Sequence, residues 1–85
     1  MLIRDQIETA LKDQFAPAEL EVTDVSESHR GHSGWREGGQ THFDVRIRAP
    51  VFGPMSRLAR HRAVHSALGA DLVGRIHALS LDISA

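Results

Sequence analysis

The chain has 85 residues, a hydrophobic fraction of 41% and a formal net charge of -1, which favour a single small domain over residues 1–85. It contains six histidines and no cysteine, so a disulfide framework, a thiolate nucleophile and a metal site built from its own cysteines are excluded. The N-terminal residues lack the uninterrupted apolar run of a signal peptide, and no stretch approaches the ~20 apolar residues that span a bilayer. A cytoplasmic protein without a membrane partner is therefore expected.

The first two predicted elements are a helix and a strand. Apolar residues recur at helical spacing from Ile3 to Phe15, and Pro17 ends the helix just beyond Phe15. Leu20 and Val22 then alternate with polar residues, which is typical of a strand with one buried face.

A second strand follows a long glycine-rich segment. Apolar and charged residues alternate over 43–47, which predicts the strand. The segment before it contains His29, His32 and Trp35 and is too long for a tight hairpin turn. Trp35 is either an anchor for a partner, since Trp is enriched at interface hot spots, or a residue that packs locally over the edge of the sheet.

A second helix and a third strand complete the order. Ser56 can cap the helix, and either Gly69 or Gly74 ends it. Three apolar residues are predicted to share one arc of this helix: Leu58, Val64 and Leu68. The last run, 75–83, alternates as a strand and places His77 on the same face as Leu79.

The order helix, strand, strand, helix, strand predicts an α+β fold, with a three-stranded mixed sheet and two helices on one face. The first two strands should pair antiparallel, and the helix should connect strand two to a parallel strand three. Strand two is then central, and His77 should share one edge of the sheet with His29 and His32. A half-buried His77 with a hydrogen-bonded ring is the alternative. His42 should lie on the polar face, as a solvated residue or a hydrogen-bond partner.

Charge is distributed unevenly along the chain. The first third is acidic, whereas five arginines follow one another without an intervening acid: Arg46, Arg48, Arg57, Arg60 and Arg62. This pattern is typical either of a chain that meets a charged partner or of ordinary solvated faces.

Three short runs give the chain a resemblance to the BolA family. The sequences T-H-F at 41–43, R-H-R at 60–62 and I-H-A-L at 76–79 occur in the family's order and at nearly its spacing. The resemblance covers almost the whole chain and implies an α+β domain like the type II KH fold, in agreement with the predicted order. Phe52 is followed directly by a glycine and a proline, whereas the family usually has its glycine slightly later.

The resemblance also implies a function. Family members are non-enzymatic adaptors in iron–sulfur and iron metabolism that pair with monothiol glutaredoxins and share a 2Fe-2S cluster with a glutaredoxin cysteine and glutathione. His77 matches the family's ligand in the last strand, and His29, with His32 as the alternative, matches the ligand in the loop. No cofactor is expected on the chain alone, and whether it forms a homodimer stays open.

DNA binding is the alternative function. A role as a transcriptional regulator is also attributed to the family. It would use the KH-like fold and the arginines of the second helix, Arg57, Arg60 and Arg62, with Arg46 and Arg48. Those arginines could equally bind the protein partner or glutathione. A catalytic role is not expected, because the sequence has no HExxH helix, Gly-x-Ser-x-Gly turn or phosphate-binding loop.

Overall fold

The computed structural model of the chain describes residues 2–26 and 40–85. In chain order, these residues form α1 (Ile3–Phe15), β1 (Glu19–Asp24), β2 (His42–Arg48), a 3-10 turn (Pro50–Phe52), α2 (Arg57–Leu68), α3 (Ala70–Gly74) and β3 (Ala78–Ser84). The predictions made for His29, His32 and Trp35 concern residues outside this described part.

The described strands form one sheet in the order β1-β2-β3. β1 pairs antiparallel with β2, from Glu19 opposite Arg48 to Asp24 opposite Phe43. β2 pairs parallel with β3, and His42 lies opposite Ala78. The predicted fold class and the central position of the second strand are confirmed, and the N-terminal ends of β2 and β3 lie at the same edge.

The core fills the space between one face of the sheet and the helices. β2 contributes three alternate residues at 2% exposure or less, Phe43, Val45 and Ile47. The helices and the adjoining turn cover them with further buried side chains: Ile7, Leu11, Phe52, Val64, Leu68 and Leu72. The other face of the sheet carries mostly exposed polar residues, as period-two alternation requires.

The region after the second strand differs from the prediction in two respects. α2 begins at the Ser56 cap, whose Oγ accepts from the Ala59 N–H at 3.1 Å, and it ends before Gly69, which has φ +85°. A third short helix, α3, then runs to Gly74, so the two-helix prediction is wrong by one helix.

Leu58 is 59% exposed, so its predicted place in the core is also wrong. It lies six residues before Val64, a rotation of about 240° at 3.6 residues per turn, and therefore faces away from the buried stripe of α2. In the described part, no helix combines the length and the apolar character needed to cross a membrane.

Candidate functional site

His77 lies at the sheet edge where β2 and β3 begin, one residue before β3. Its backbone N–H donates to the carbonyl of Thr41 at 2.9 Å, and the N–H of Ala78 donates to the same oxygen at 3.1 Å. The residue is exposed, so the alternative of a half-buried His77 is wrong. The β3 residues that pack against the core are Leu79, Leu81 and Ile83, and His77 precedes all three.

His42 is next to His77 and has an unexpected environment. It is only 3% exposed, and its ring centroid lies 5.1 Å from that of His77, with the two planes tilted by 57°. Its Nδ1 is hydrogen-bonded to the Thr41 hydroxyl at 2.7 Å. The expectation of a solvated His42 is therefore wrong, and the alternative, a hydrogen-bonded residue, describes its environment.

The buried side chain of Ser26 connects β1 to the start of β2. Ser26 is 1% exposed, and its hydroxyl donates to Asp24 Oδ1 at 2.5 Å. The Oγ of Ser26 also accepts from the N–H groups of Thr41 at 3.0 Å and His42 at 3.2 Å. One hydroxyl therefore uses its donor and both acceptor positions, the full capacity of a serine.

Asp24 connects the two residues that flank the segment 27–39, Ser26 and Gln40. Its Oδ1 also accepts from the backbone N–H of Ser26 at 2.9 Å, and its Oδ2 accepts from that of Gln40 at 3.0 Å. Gln40 has a left-handed backbone, with φ 65°, and its Oε1 accepts from the N–H of Ile3 at 2.6 Å. The residues that flank the segment are thus fixed to the sheet edge and to the start of α1.

These hydrogen bonds lower the pKa of Asp24. Burial by itself would raise the pKa, because it disfavours the charged form. The hydrogen bonds from the Ser26 side chain and backbone and from the Gln40 backbone, together with the charge interaction with His42, outweigh burial and bring the pKa below its ordinary value of 3.8. The carboxylate is therefore held ionised at neutral pH.

The sequence reasoning did not assign these anchoring roles to Asp24, Ser26 and Gln40. An Asp followed two residues later by Ser is typical of a turn in which the carboxylate accepts from the main chain, so a local signal existed for one contact. The contacts to Gln40 and Thr41 join residues 15 or 16 positions apart and have no local signal.

The loop histidines precede this anchored end of β2 in the sequence. His29 and His32 lie between Ser26 and Gln40, and both of those flanking residues lie at the edge where His77 bonds to Thr41. The predicted proximity of the rings of His29 or His32 to His77 concerns residues outside the described part and stays a prediction.

The arginines of α2 have two different environments. Arg57 and Arg62 are exposed. Arg60 is half-buried, and its Nε donates to the carbonyl of Phe52 at 2.8 Å while its Nη1 donates to that of Ile83 at 3.3 Å. Arg60 thus connects the 3-10 turn to β3 through hydrogen bonds. The binding role predicted for Arg57, Arg60 and Arg62 stays a prediction.

The other two arginines of the basic run lie on the outer face of the sheet. Arg46 and Arg48 alternate with the core residues of β2, and Arg48 forms an ion pair with Glu19 at 2.9 Å. The five arginines therefore lie on two different elements, the outer face of β2 and α2. Within residues 2–26 and 40–85, no three His, Cys, Asp or Glu side chains are grouped closely enough to hold a metal ion.

The described residues form a small α+β domain with a three-stranded mixed sheet, and His42 and His77 lie together at one edge of that sheet. A family model described as BolA-like protein matches residues 11–85, and the chain belongs to the BolA family. Over its full length it is 40% identical to the "Uncharacterized protein in cobS 5'region" of Sinorhizobium sp, of which it covers 92%.

Two further relatives carry more specific names. Over 95% of its length the chain is 37% identical to the DNA-binding transcriptional regulator BolA of Escherichia coli (strain K12), covering 73% of that protein. It is 40% identical to SufE-like protein 1 of Arabidopsis thaliana but spans only 22% of it. The solved structure of the BolA domain of that plant SufE1 has a TM-score of 0.80 and 37% identity, and the match covers 95% of this chain and 88% of that one.

Proposed function

We propose that the chain is a non-enzymatic adaptor that shares a 2Fe-2S cluster with a monothiol glutaredoxin and glutathione. His77 is one ligand, and His29 or His32 in the segment before β2 is the other. Membership of the BolA family supports the class of protein, and the resemblance described above supplies the partner and the cluster.

The observation that carries the proposal is the position of His77. It is an exposed imidazole on a backbone fixed by Thr41, at the same edge as Ser26 and Gln40, the residues that flank the histidine-bearing segment in the sequence. Imidazole is a known ligand of 2Fe-2S clusters, in which it replaces a cysteine thiolate. The chain has no cysteine, so thiolate ligands have to come from glutaredoxin and glutathione.

The donor set therefore fits a cluster that is shared rather than held by this chain alone. A bound 2Fe-2S cluster supplies one-electron redox chemistry and an iron–sulfur unit that can be passed to another protein. The chain's own contribution is the exposed imidazole of His77, presented from a fixed main chain, together with that of His29 or His32. A neutral imidazole ligand in place of a thiolate raises the reduction potential of such a cluster.

Visible circular dichroism tests this proposal. Cluster-loaded monothiol glutaredoxin and glutathione are titrated anaerobically with the wild type, with His77→Ala, and with His65→Ala as the matched control, since His65 is also exposed but lies on α2. The wild type and the control should produce the same new spectrum, and His77→Ala should lose or alter it. Identical spectra for all three proteins would exclude His77 as a ligand.

DNA binding is a second candidate function, favoured by the exposed arginines of α2 and by the name of the Escherichia coli relative. Arg57 and Arg62 are exposed on a helix whose first turn has no acidic residue. Two phosphate contacts predict a log–log salt slope of about −2. Fluorescence anisotropy with a DNA duplex at increasing salt should give this slope, which falls by about half in Arg62→Ala. Binding that does not respond to salt or to the substitution would contradict this role.

A further inference from the structure

His42 is a buried residue on an otherwise polar face of the sheet. The residues of β2 that point to the same face as His42 are exposed: Asp44, Arg46 and Arg48. His42 itself is only 3% exposed. A polar ring is buried in this way when neighbours cover it and hydrogen bonds satisfy it. The ring of His77, with its centroid 5.1 Å away, is one of those neighbours.

Both the main chain and the ring of His42 are fixed. The Thr41 hydroxyl is hydrogen-bonded to Nδ1 at 2.7 Å. The backbone N–H of His42 donates to Ser26 Oγ at 3.2 Å, and its carbonyl accepts from the Val25 N–H at 2.9 Å. The ring of His42 therefore has a defined orientation and a buried position, so it can restrict the rotamers of the neighbouring His77 side chain.

His77 has a fixed backbone and an exposed side chain. The Thr41 carbonyl holds its N–H at 2.9 Å, so the origin of the side chain is set relative to His42. An imidazole on a fixed backbone still has three staggered χ1 wells. Contact with the ring of His42 favours one of these wells over the other two.

We propose that His42 is the positioning residue of His77. Its buried ring, with its centroid 5.1 Å from that of His77, keeps the exposed imidazole in one rotamer by ring contact and so directs the nitrogens of His77 in a fixed direction. The consequence for the cluster rests on the function proposed above, whereas the effect on the rotamer is a property of the free protein and is measured separately.

The size of the effect follows from the number of rotamers. If removing the His42 ring spreads His77 over three χ1 wells, the population in the binding-competent well falls about threefold. The partner concentration at half-saturation then rises about threefold, because apparent affinity scales with the competent population.

The decisive experiment measures the χ1-dependent three-bond couplings of His77 by NMR in the isotope-labelled free protein. The wild type should give the couplings of one rotamer, and His42→Ala should give averaged values. His42→Phe keeps an aromatic ring beside His77 and should restore the wild-type couplings. The backbone amide spectrum of each protein reports whether the fold is intact.

Averaged couplings in the wild type, or unchanged couplings in a folded His42→Ala, would overturn the proposal. If His42→Ala does not fold, the couplings of His77 in the wild type and in His42→Phe still test the proposal. Averaged couplings in a folded His42→Phe would also contradict support by ring contact.

A titration with cluster-loaded monothiol glutaredoxin and glutathione separates this proposal from the adaptor function. If His77→Ala alters the dichroism and His42→Ala shifts half-saturation about threefold, both stand. If His77→Ala alters the dichroism but His42→Ala reaches half-saturation at the same partner concentration as the wild type, the proposal that His42 positions His77 as a ligand is overturned. If His77→Ala leaves the dichroism unchanged, the adaptor function fails while the NMR couplings still decide whether His42 orients His77.

Discussion

Replacing Ser26 by Ala should destabilise the protein more than a typical change from serine to alanine. The Ser26 hydroxyl is 1% exposed, accepts from the N–H groups of Thr41 and His42, and donates to Asp24. Alanine removes the acceptor but leaves both N–H groups in place. A buried donor left without its partner costs about 1–3 kcal/mol.

Two such donors give an expected loss of about 2–6 kcal/mol in the free energy of unfolding. Domains of this size typically have only about 5–15 kcal/mol of stability, so the loss is a large share of the total. At about 4–8 °C per kcal/mol for a domain of this length, even the lower bound of about 2 kcal/mol corresponds to a fall of about 8–16 °C in the melting temperature of Ser26→Ala.

Urea unfolding and thermal unfolding followed by far-ultraviolet circular dichroism measure this loss. Ser56→Ala is the matched control, because Ser56 is exposed and caps α2 through a single bond to the Ala59 N–H. That control should cost about 1 kcal/mol. If Ser26→Ala costs no more than Ser56→Ala, the hydroxyl does not have the anchoring role described here.

Three further changes test other parts of the structure. Arg60→Ala removes the hydrogen bonds to the 3-10 turn and β3 and should cost about 1–2 kcal/mol in urea unfolding, whereas exposed Arg62→Ala should stay within about 0.5 kcal/mol; equal losses would contradict this distinction. Because the pKa of Asp24 is lower in the folded protein than its ordinary value of 3.8, the ionised carboxylate stabilises the fold fully at pH values above 3.8. This stabilisation is lost as the pH falls through the lowered pKa of the folded state. The difference in urea midpoint between wild type and Asp24→Asn should therefore shrink on acidification, and a constant difference would refute the assignment. Phe52→Ala empties a fully buried position and should cost about 3–5 kcal/mol; a loss below about 1 kcal/mol in calorimetry would show that the site is not packed as described.

Local patterns were sufficient to predict the strands and their pairing. The alternation of Val45 and Ile47 with charged residues indicates one buried face, and chain order with the crossover rule makes β2 central. α3 was missed because its five residues are too few for helical periodicity to be recognised. Leu58 was misplaced because apolar character alone does not specify which side of a first turn faces the sheet.

The site could be predicted only in part. The edge position of His77 follows from the parallel pairing of β2 and β3. The burial of His42 could not be predicted from alternation, because the groups next to it are Ser26, Thr41 and His77, and Ser26 and His77 are distant in sequence. The same limit applies to the hydrogen bond between Asp24 and Gln40, since no local pattern indicates contacts of such long range.

Pulsed EPR tests most directly whether a histidine nitrogen of this chain binds a cluster that is shared with glutaredoxin. The chain is labelled with 15N only at histidine, mixed with unlabelled cluster-loaded monothiol glutaredoxin and glutathione, and chemically reduced to make the cluster paramagnetic. Strong 15N hyperfine coupling in the wild type and in the His65→Ala control, diminished in His77→Ala, is the predicted result. A reduced cluster in the complex without strong 15N coupling in the wild type, or with the same coupling in His77→Ala, would contradict ligation by His77.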